Sequence, residues 1–262
     1  MNKRIKFINK IFDRPITCLT AYSGSVAKIL DGKVDMILIG DSLGSTLYDM
    51  KNTQGVTLDM MKIHGRLVTQ KIKKSITIID MPYKTYRNKN EALKNAKSLI
   101  NFTKAKVLKI EISDKNLPII SYLSKRKFNI IAHIGVTPQS YTNFSKIKIL
   151  GRKDSEKNKL LNLALSAEKA GAKAVLLECV IKNVAKEITY ALSIPTIGIG
   201  SSNCCDGQVL VFDDLININS SQKTPKFVKK YLNFERLAGE AVLKFTKQVK
   251  QRSFPNKKYS YQ

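Results

Sequence analysis

Seven residues spread over more than half of the chain have the types that do chemistry: Asp41 with Ser42, Asp80, Lys109 with Glu111, His133 and Glu178. Each follows or closes a short apolar run, as Met36-Ile37-Leu38-Ile39 does before Gly40-Asp41-Ser42. A carboxylate set into an apolar strand is costly to bury, and such residues gather at sites. Acids that met at one place would repel and raise one another's pKa values, a state that a bound divalent cation relieves. Hard oxygen donors, with no cysteine or histidine pair at ligating spacing, favour Mg²⁺ over zinc. Plainer readings exist for each residue alone. Asp41 and Asp80 serve as turn formers, Lys109 and Glu111 share one side of a strand and could form an ordinary ion pair, His133 could be a satisfied core histidine, and Glu178 could pair with a lysine.

The elements that must position these residues repeat a simple alternation. Eight strand candidates lie near 16–21, 35–39, 75–80, 106–110, 129–133, 174–179, 195–199 and 208–212, and most are continuously apolar, as strands buried on both faces are. Helical patterns fall between them at 23–30, 57–71, 89–102, 117–125, 155–170 and 183–192. The second opens on the capping sequence Thr57-Leu58-Asp59, and the third carries Ala92, Leu93, Ala96, Leu99 and Ile100 at helical spacing. This predicts an α/β chain folded as a closed (β/α)₈ TIM-type barrel, with a doubly wound open sheet as the competitor. In such a barrel the C-terminal strand ends open on one face, so the seven residues meet there. One domain over 1–262 is expected, with its core at about 16–250, additional C-terminal helical segments near 225–250 and a poorly ordered polar tail at 251–262. The long polar connection 133–154 reads as a functional lid, and the link 200–207 is too short for a helix.

Composition narrows the function classes. The 262 residues carry a formal charge of +26, with a sequence pI near 9.9. The lysines are spread through every segment, without an arginine-rich arm or interleaved aromatics, so a solvated basic surface is expected rather than a specific nucleic-acid face. No apolar run approaches a membrane span. The basic start Met1-Asn2-Lys3-Arg4-Ile5 lacks the apolar segment of a signal peptide, which points to the cytoplasm. Cys18, Cys179, Cys204 and Cys205 form neither a disulfide framework nor a zinc spacing.

Six separated motifs occur together: Ile39-Gly-Asp-Ser-Leu-Gly44, Ile79-Asp80-Met81-Pro82-Tyr83, Leu108-Lys109-Ile110-Glu111, Ala132-His-Ile-Gly-Val-Thr-Pro-Gln-Ser140, Leu177-Glu178-Cys179-Val180, and Ile194 to Gly200 with Asp206-Gly207-Gln208. In content and order they resemble the ketopantoate hydroxymethyltransferase family. The resemblance implies a Mg²⁺-dependent enzyme of pantothenate biosynthesis that transfers a hydroxymethyl group from 5,10-methylenetetrahydrofolate to 3-methyl-2-oxobutanoate, forming 2-dehydropantoate through an enolate. Carried over by position, Asp41, Asp80 and Glu111 would hold the metal, and Asp41, Ser42, Asp80 and Lys109 would hold the 2-oxo acid. Glu178 would be the base, and His133 a polar site residue without an assigned role. The resemblance also implies a ring-based homo-oligomer, a decamer. Departures fall at Asp49, Gln54-Gly55 and Ile112-Ser113, around the mouth of the site. A different Mg²⁺-dependent 2-oxo acid lyase or phosphonate mutase would share the acids without needing folate.

Overall fold

The computed structural model describes residues 14–143, 148–218 and 224–261. The basic start Met1 to Ile5, part of the long connection at 144–147, and Gln262 lie outside the described residues. Contacts divide the chain into two compact units, the second beginning at Phe212.

The first unit is a closed barrel of eight parallel strands in sequential order: β1 (Ile16–Thr20), β2 (Met36–Ile39), β3 (Ile76–Asp80), β4 (Val107–Glu111), β5 (Ile130–Gly135), β6 (Ala174–Glu178), β7 (Thr196–Ile199) and β8 (Gly207–Leu210). Side chains alternate along a strand, so every second residue enters the barrel. The inward series begins with Ile16, Cys18, Met36, Leu38, Ile78, Val107, Ile131, Ala174, Leu176, Ile197 and Val209, which pack into one apolar cluster. Continuing each series by two residues gives Asp80 on β3, Lys109 and then Glu111 on β4, His133 on β5 and Glu178 on β6. The barrel interior therefore changes from hydrocarbon to charge along its axis.

The outward residues Ile37, Ile39, Ile79, Leu108, Ile110, Ile134, Val175 and Leu177 are equally buried, beneath helices. These are α1 (Gly24–Leu30), α2 (Leu43–Leu47), α3 (Leu58–Thr69), α4 (Lys89–Thr103), α5 (Leu117–Ser124), α6 (Asp154–Lys169) and α7 (Lys182–Ala191). Thr57 accepts from Met60 N at the start of α3, and Asn88 from Glu91 N at the start of α4, so two of the exposed first-turn donors are satisfied. Helix α3 approaches its neighbours at Gly65, where a Cβ would fall 2.6 Å from Ile79 Cδ1 and 2.7 Å from Thr103 Cγ2.

The structure moves several expected boundaries. β5 continues to Gly135, so His133 sits inside its strand rather than closing it. β8 ends at Leu210, and Phe212, expected as its last residue, opens the short helix α8 (Phe212–Ile216) of the second unit. Helix α2 and the 3₁₀ turns at Thr53–Gly55 and Pro138–Ser140 are additional; each is too short for periodicity to reveal it. As expected, no helix occupies 200–207.

In the second unit, the helix expected from about 225 starts only at Phe234 and runs to Lys250 as α9, because Asn233 caps it by accepting from Arg236 N at 3.2 Å. The tail beyond it is not loose coil: the Phe254 ring lies 5.6 Å from Phe245 and 5.8 Å from Tyr259, whose residue ends a 3₁₀ turn. Among the described residues the four cysteines are free, and no helix is long and apolar enough to cross a membrane.

Candidate active site

Strand register brings the charged residues into lateral pairs. Asp80 of β3 stands opposite Lys109 of β4, and Glu111 of β4 opposite His133 of β5. Lys109 Nζ lies 2.8 Å from Asp80 Oδ1 and 3.2 Å from His133 Nδ1. An ammonium only donates, so His133 Nδ1 accepts and the neutral ring carries its proton on Nε2. That nitrogen is 3.3 Å from Glu178 Oε2, without an aligned hydrogen bond. A polar chain, Asp80 to Lys109 to His133 to Glu178, thus crosses four adjacent strands. The ion pair expected as possible between Lys109 and Glu111 goes instead to Asp80.

Asp41 lies just past β2, buried, and its backbone N–H donates to Asp80 Oδ2 at 2.9 Å. Ser42 begins α2 but its hydroxyl does not cap the helix; it lies 2.7 Å from the Tyr22 hydroxyl, which follows β1. Gly135, at φ 95°, lets β5 end against β6, since a Cβ there would sit 2.3 Å from the Glu178 carbonyl oxygen. The next residue on that side, Cys179, is itself in the left-handed region at φ 51°, turning the chain directly behind Glu178.

Burial and charge set the protonation. Asp80 is pushed up to about 7 by burial, with Lys109 pulling down and Asp41 pushing up. Burial also raises Glu111 well above the carboxylate range, Asp41 adding and Lys109 opposing. For Lys109, burial works against the charge, but Asp80, Asp41 and Glu111 outweigh it and hold the ammonium above its ordinary value. Burial, then the Lys109 charge, lowers His133 and keeps it neutral. Glu178 is the least enclosed of these strand-borne groups, its side chain 19% exposed against 5% for Glu111 and 2% for Asp80.

Gln139 stands in the motif ending at Ser140 but has no role assigned from sequence, and Tyr86 and Tyr22 belong to none of the six motifs. Gln139 sits in the 3₁₀ turn after β5, almost fully buried; its backbone N–H donates to Glu111 Oε2 at 3.1 Å and its Nε2 to Asp41 Oδ2 at 2.7 Å. The Tyr86 hydroxyl donates to its Oε1 at 2.6 Å. A Pro-Gln-Ser loop triplet gave one usable signal, an amide placed next to a turn-forming proline.

The acids suit a hard dication in kind: Asp80 Oδ1 is buried without an aligned hydrogen bond, and three enclosed carboxylates face one ammonium. In this conformation no three acidic, histidine or cysteine side chains are drawn together as a metal cluster among the described residues. Beside Glu111 and Gln139 opens a cavity of about 450 Å³ walled by Tyr83, Tyr86, Lys84, Arg87 and Lys115.

Comparison with known proteins bears on what such a mouth does. The chain is 47% identical over its full length, and over the relative's full length, to the 3-methyl-2-oxobutanoate hydroxymethyltransferase of Pelagibacter ubique. To that of Anaplasma marginale it is 39% identical, over 94% of this chain and 88% of the relative. Among solved structures, an oxaloacetate acetylhydrolase shares the fold at a TM-score of 0.62 and 14% identity, covering 97% of this chain and 98% of that one. A 2,3-dimethylmalate lyase of the PEP mutase/isocitrate lyase superfamily does so at 0.60 and 12%, covering 95% and 84%. The family model for ketopantoate hydroxymethyltransferase matches residues 3–257, and the chain, an enzyme that transfers a hydroxymethyl group onto 3-methyl-2-oxobutanoate, belongs to that family.

Proposed function

We propose that the hydroxymethyl group comes from 5,10-methylenetetrahydrofolate, in a Mg²⁺-dependent aldol-type reaction that yields 2-dehydropantoate with Glu178 as the base. The observation that carries this reading is the charge balance at the mouth: Asp41, Asp80, Glu111 and Glu178 surround a single ammonium, Lys109, and a neutral His133. A 2-oxo acid is itself an anion, and a bound cation would favour the ionised form of these acids while offsetting the negative charge gathered with the substrate. Asp41, Asp80 and Glu111 are the residues that would hold Mg²⁺, and a cation there would withdraw electrons from the substrate's oxo group and acidify the neighbouring C–H.

The chain's own groups do the rest. Lys109 and Ser42 would hold the oxo acid, with the Ser42 hydroxyl oriented by Tyr22. Glu178 would remove the C3 proton, being more accessible than Asp80 or Glu111. His133, neutral and carrying its proton on the side of Glu178, would steady the carboxylate once it is ready to accept. The C3 carbanion would then bond to the folate's methylene carbon as both of that carbon's bonds to folate nitrogen break; water supplies the hydroxyl oxygen, its second proton and the proton taken from C3 go to the two nitrogens, and tetrahydrofolate leaves. The aromatic and basic cavity beside Glu111 offers room for this anionic carrier.

The test is an assay of the purified protein with 3-methyl-2-oxobutanoate, methylenetetrahydrofolate and Mg²⁺, following 2-dehydropantoate. Turnover that persisted in a chelator would overturn the metal reading, and a lyase reaction that needed no folate would overturn the donor reading. The ring-based homo-oligomer implied by the family motifs belongs to the same proposal and is read by sedimentation.

A further inference from the structure

We infer that Gln139 is a positioning residue, the middle of a relay from Tyr86 that fixes Asp41 and Glu111 for cation binding. This rests on the reading of those acids as ligands. Asp41 Oδ2 and the Met81 carbonyl can only accept, and both lie within reach of the Gln139 amide nitrogen, at 2.7 and 3.1 Å. The amide oxygen must therefore face Tyr86, whose hydroxyl donates to it at 2.6 Å. An amide oxygen has no proton to give, so in this pair the phenol is the donor. The backbone N–H of the same residue holds Glu111, so one loop residue grips two acids from different strands.

The grip is anchored from across the mouth. Gln54 Nε2 donates to the Gln139 carbonyl at 2.9 Å, and Asn52 Nδ2 to the Thr142 carbonyl at 2.9 Å. Every polar atom of the Gln139 side chain is thus used, and a fully satisfied buried network holds its members in one geometry. Gln139 takes one oxygen of Asp41 and leaves the other for a ligand. Groups that orient metal ligands in this way typically change affinity by about 10–100-fold when removed.

The experiment titrates Mn²⁺ into the full-length protein, without either substrate, and reads bound metal by electron paramagnetic resonance. Gln139→Met keeps the length and loses both hydrogen-bonding atoms; it is expected to weaken binding by about 10–100-fold. Its turnover should fall at low Mg²⁺ and recover at high Mg²⁺, which a packing role would not produce. Tyr86→Phe should weaken binding several-fold in the wild-type background and add nothing to Gln139→Met. A folded Gln139→Met with wild-type affinity overturns the inference, as does a Tyr86→Phe loss that is undiminished without Gln139. Should Gln139→Met not fold, Tyr86→Phe alone decides, an unchanged affinity counting against the relay. If the wild-type protein itself binds no Mn²⁺ or Mg²⁺, the ligand reading fails and the relay with it, an outcome distinct from equal binding by wild type and variant.

Discussion

The lower and upper halves of the barrel interior are built from the same eight strands and the same inward-facing positions, yet they obey different rules. Below, Ile16, Cys18, Met36, Leu38, Leu176 and Val209 fill the space with hydrocarbon and need only fit one another. Even the thiol there behaves as hydrocarbon, since burial pushes Cys18 up to about 12. Two residues further along, and four for Glu111, the same faces present Asp80, Lys109, Glu111, His133 and Glu178, all carrying charge or a proton to exchange. The lower half stores stability, while the upper half spends some of it on groups held ready for a ligand.

Substitutions in the two halves should therefore separate stability from rate. The largest expected effect is on rate alone. Glu178→Gln is nearly isosteric and should lower turnover by about 10² to 10⁴, with an unchanged melting temperature and unchanged Mg²⁺ affinity. In heavy water, the variant should also exchange the C3 hydrogen of 3-methyl-2-oxobutanoate far more slowly than wild type. Exchange at the wild-type rate would move the base elsewhere, with His133 next in line.

Lys109→Met should act on both quantities. It strands Asp80 and its neighbours without their one ammonium, and losing one partner of a buried pair costs about 3–5 kcal/mol. Urea unfolding at pH 8 and pH 5 checks this, the cost being smaller at pH 5, where the acids take up protons. Leu176→Ala, in the lower half, is expected to cost roughly 2–5 kcal/mol through its cavity while leaving turnover per folded molecule unchanged. A drop in that turnover would mean that the floor of the barrel shapes the site as well as supporting it.

The smallest effect is graded with pH. The folded value of Asp80, near 7, lies above its ordinary 3.8, and Glu111 is raised as well. The folded, metal-free protein thus binds more protons than the unfolded chain between these values. Its stability should fall as pH rises through that window and level off above it, by at most about 1.4 kcal/mol per pH unit for each proton. Denaturation midpoints in a chelator measure the slope, and saturating Mg²⁺, which needs ionised carboxylates, should flatten it.

Much of this division was legible in the sequence, because period-two alternation continues from apolar residues into single charged ones at the strand ends. The barrel and the meeting of Asp41, Asp80, Lys109, Glu111, His133 and Glu178 follow from that alternation plus strand order. The contacts of Gln139, Tyr86 and Tyr22 were not legible, since these residues lie on loops that meet only when the chain has closed. Nor was the partner of Lys109: strand periodicity puts Lys109 and Glu111 on one side, but lateral register decides that the ammonium meets Asp80. The start of α9 was lost for a different reason. Lysine-rich segments such as 226–230 suit a helix by propensity, and the cap at Asn233 overrides it.

The enclosure of Lys109 also bears on which route to carbon–carbon bond formation this pocket permits. A primary amine beside a 2-oxo acid invites condensation to an imine, the other common way of activating such a substrate. That route needs the free amine, and Lys109 is held as ammonium above its ordinary pKa by Asp80, Asp41 and Glu111. Borohydride added to the protein with 3-methyl-2-oxobutanoate should therefore leave Lys109 unmodified, and its mass unchanged by reductive trapping. The charge that would suit Lys109 to an anionic substrate would, for the same reason, withhold it from attacking one.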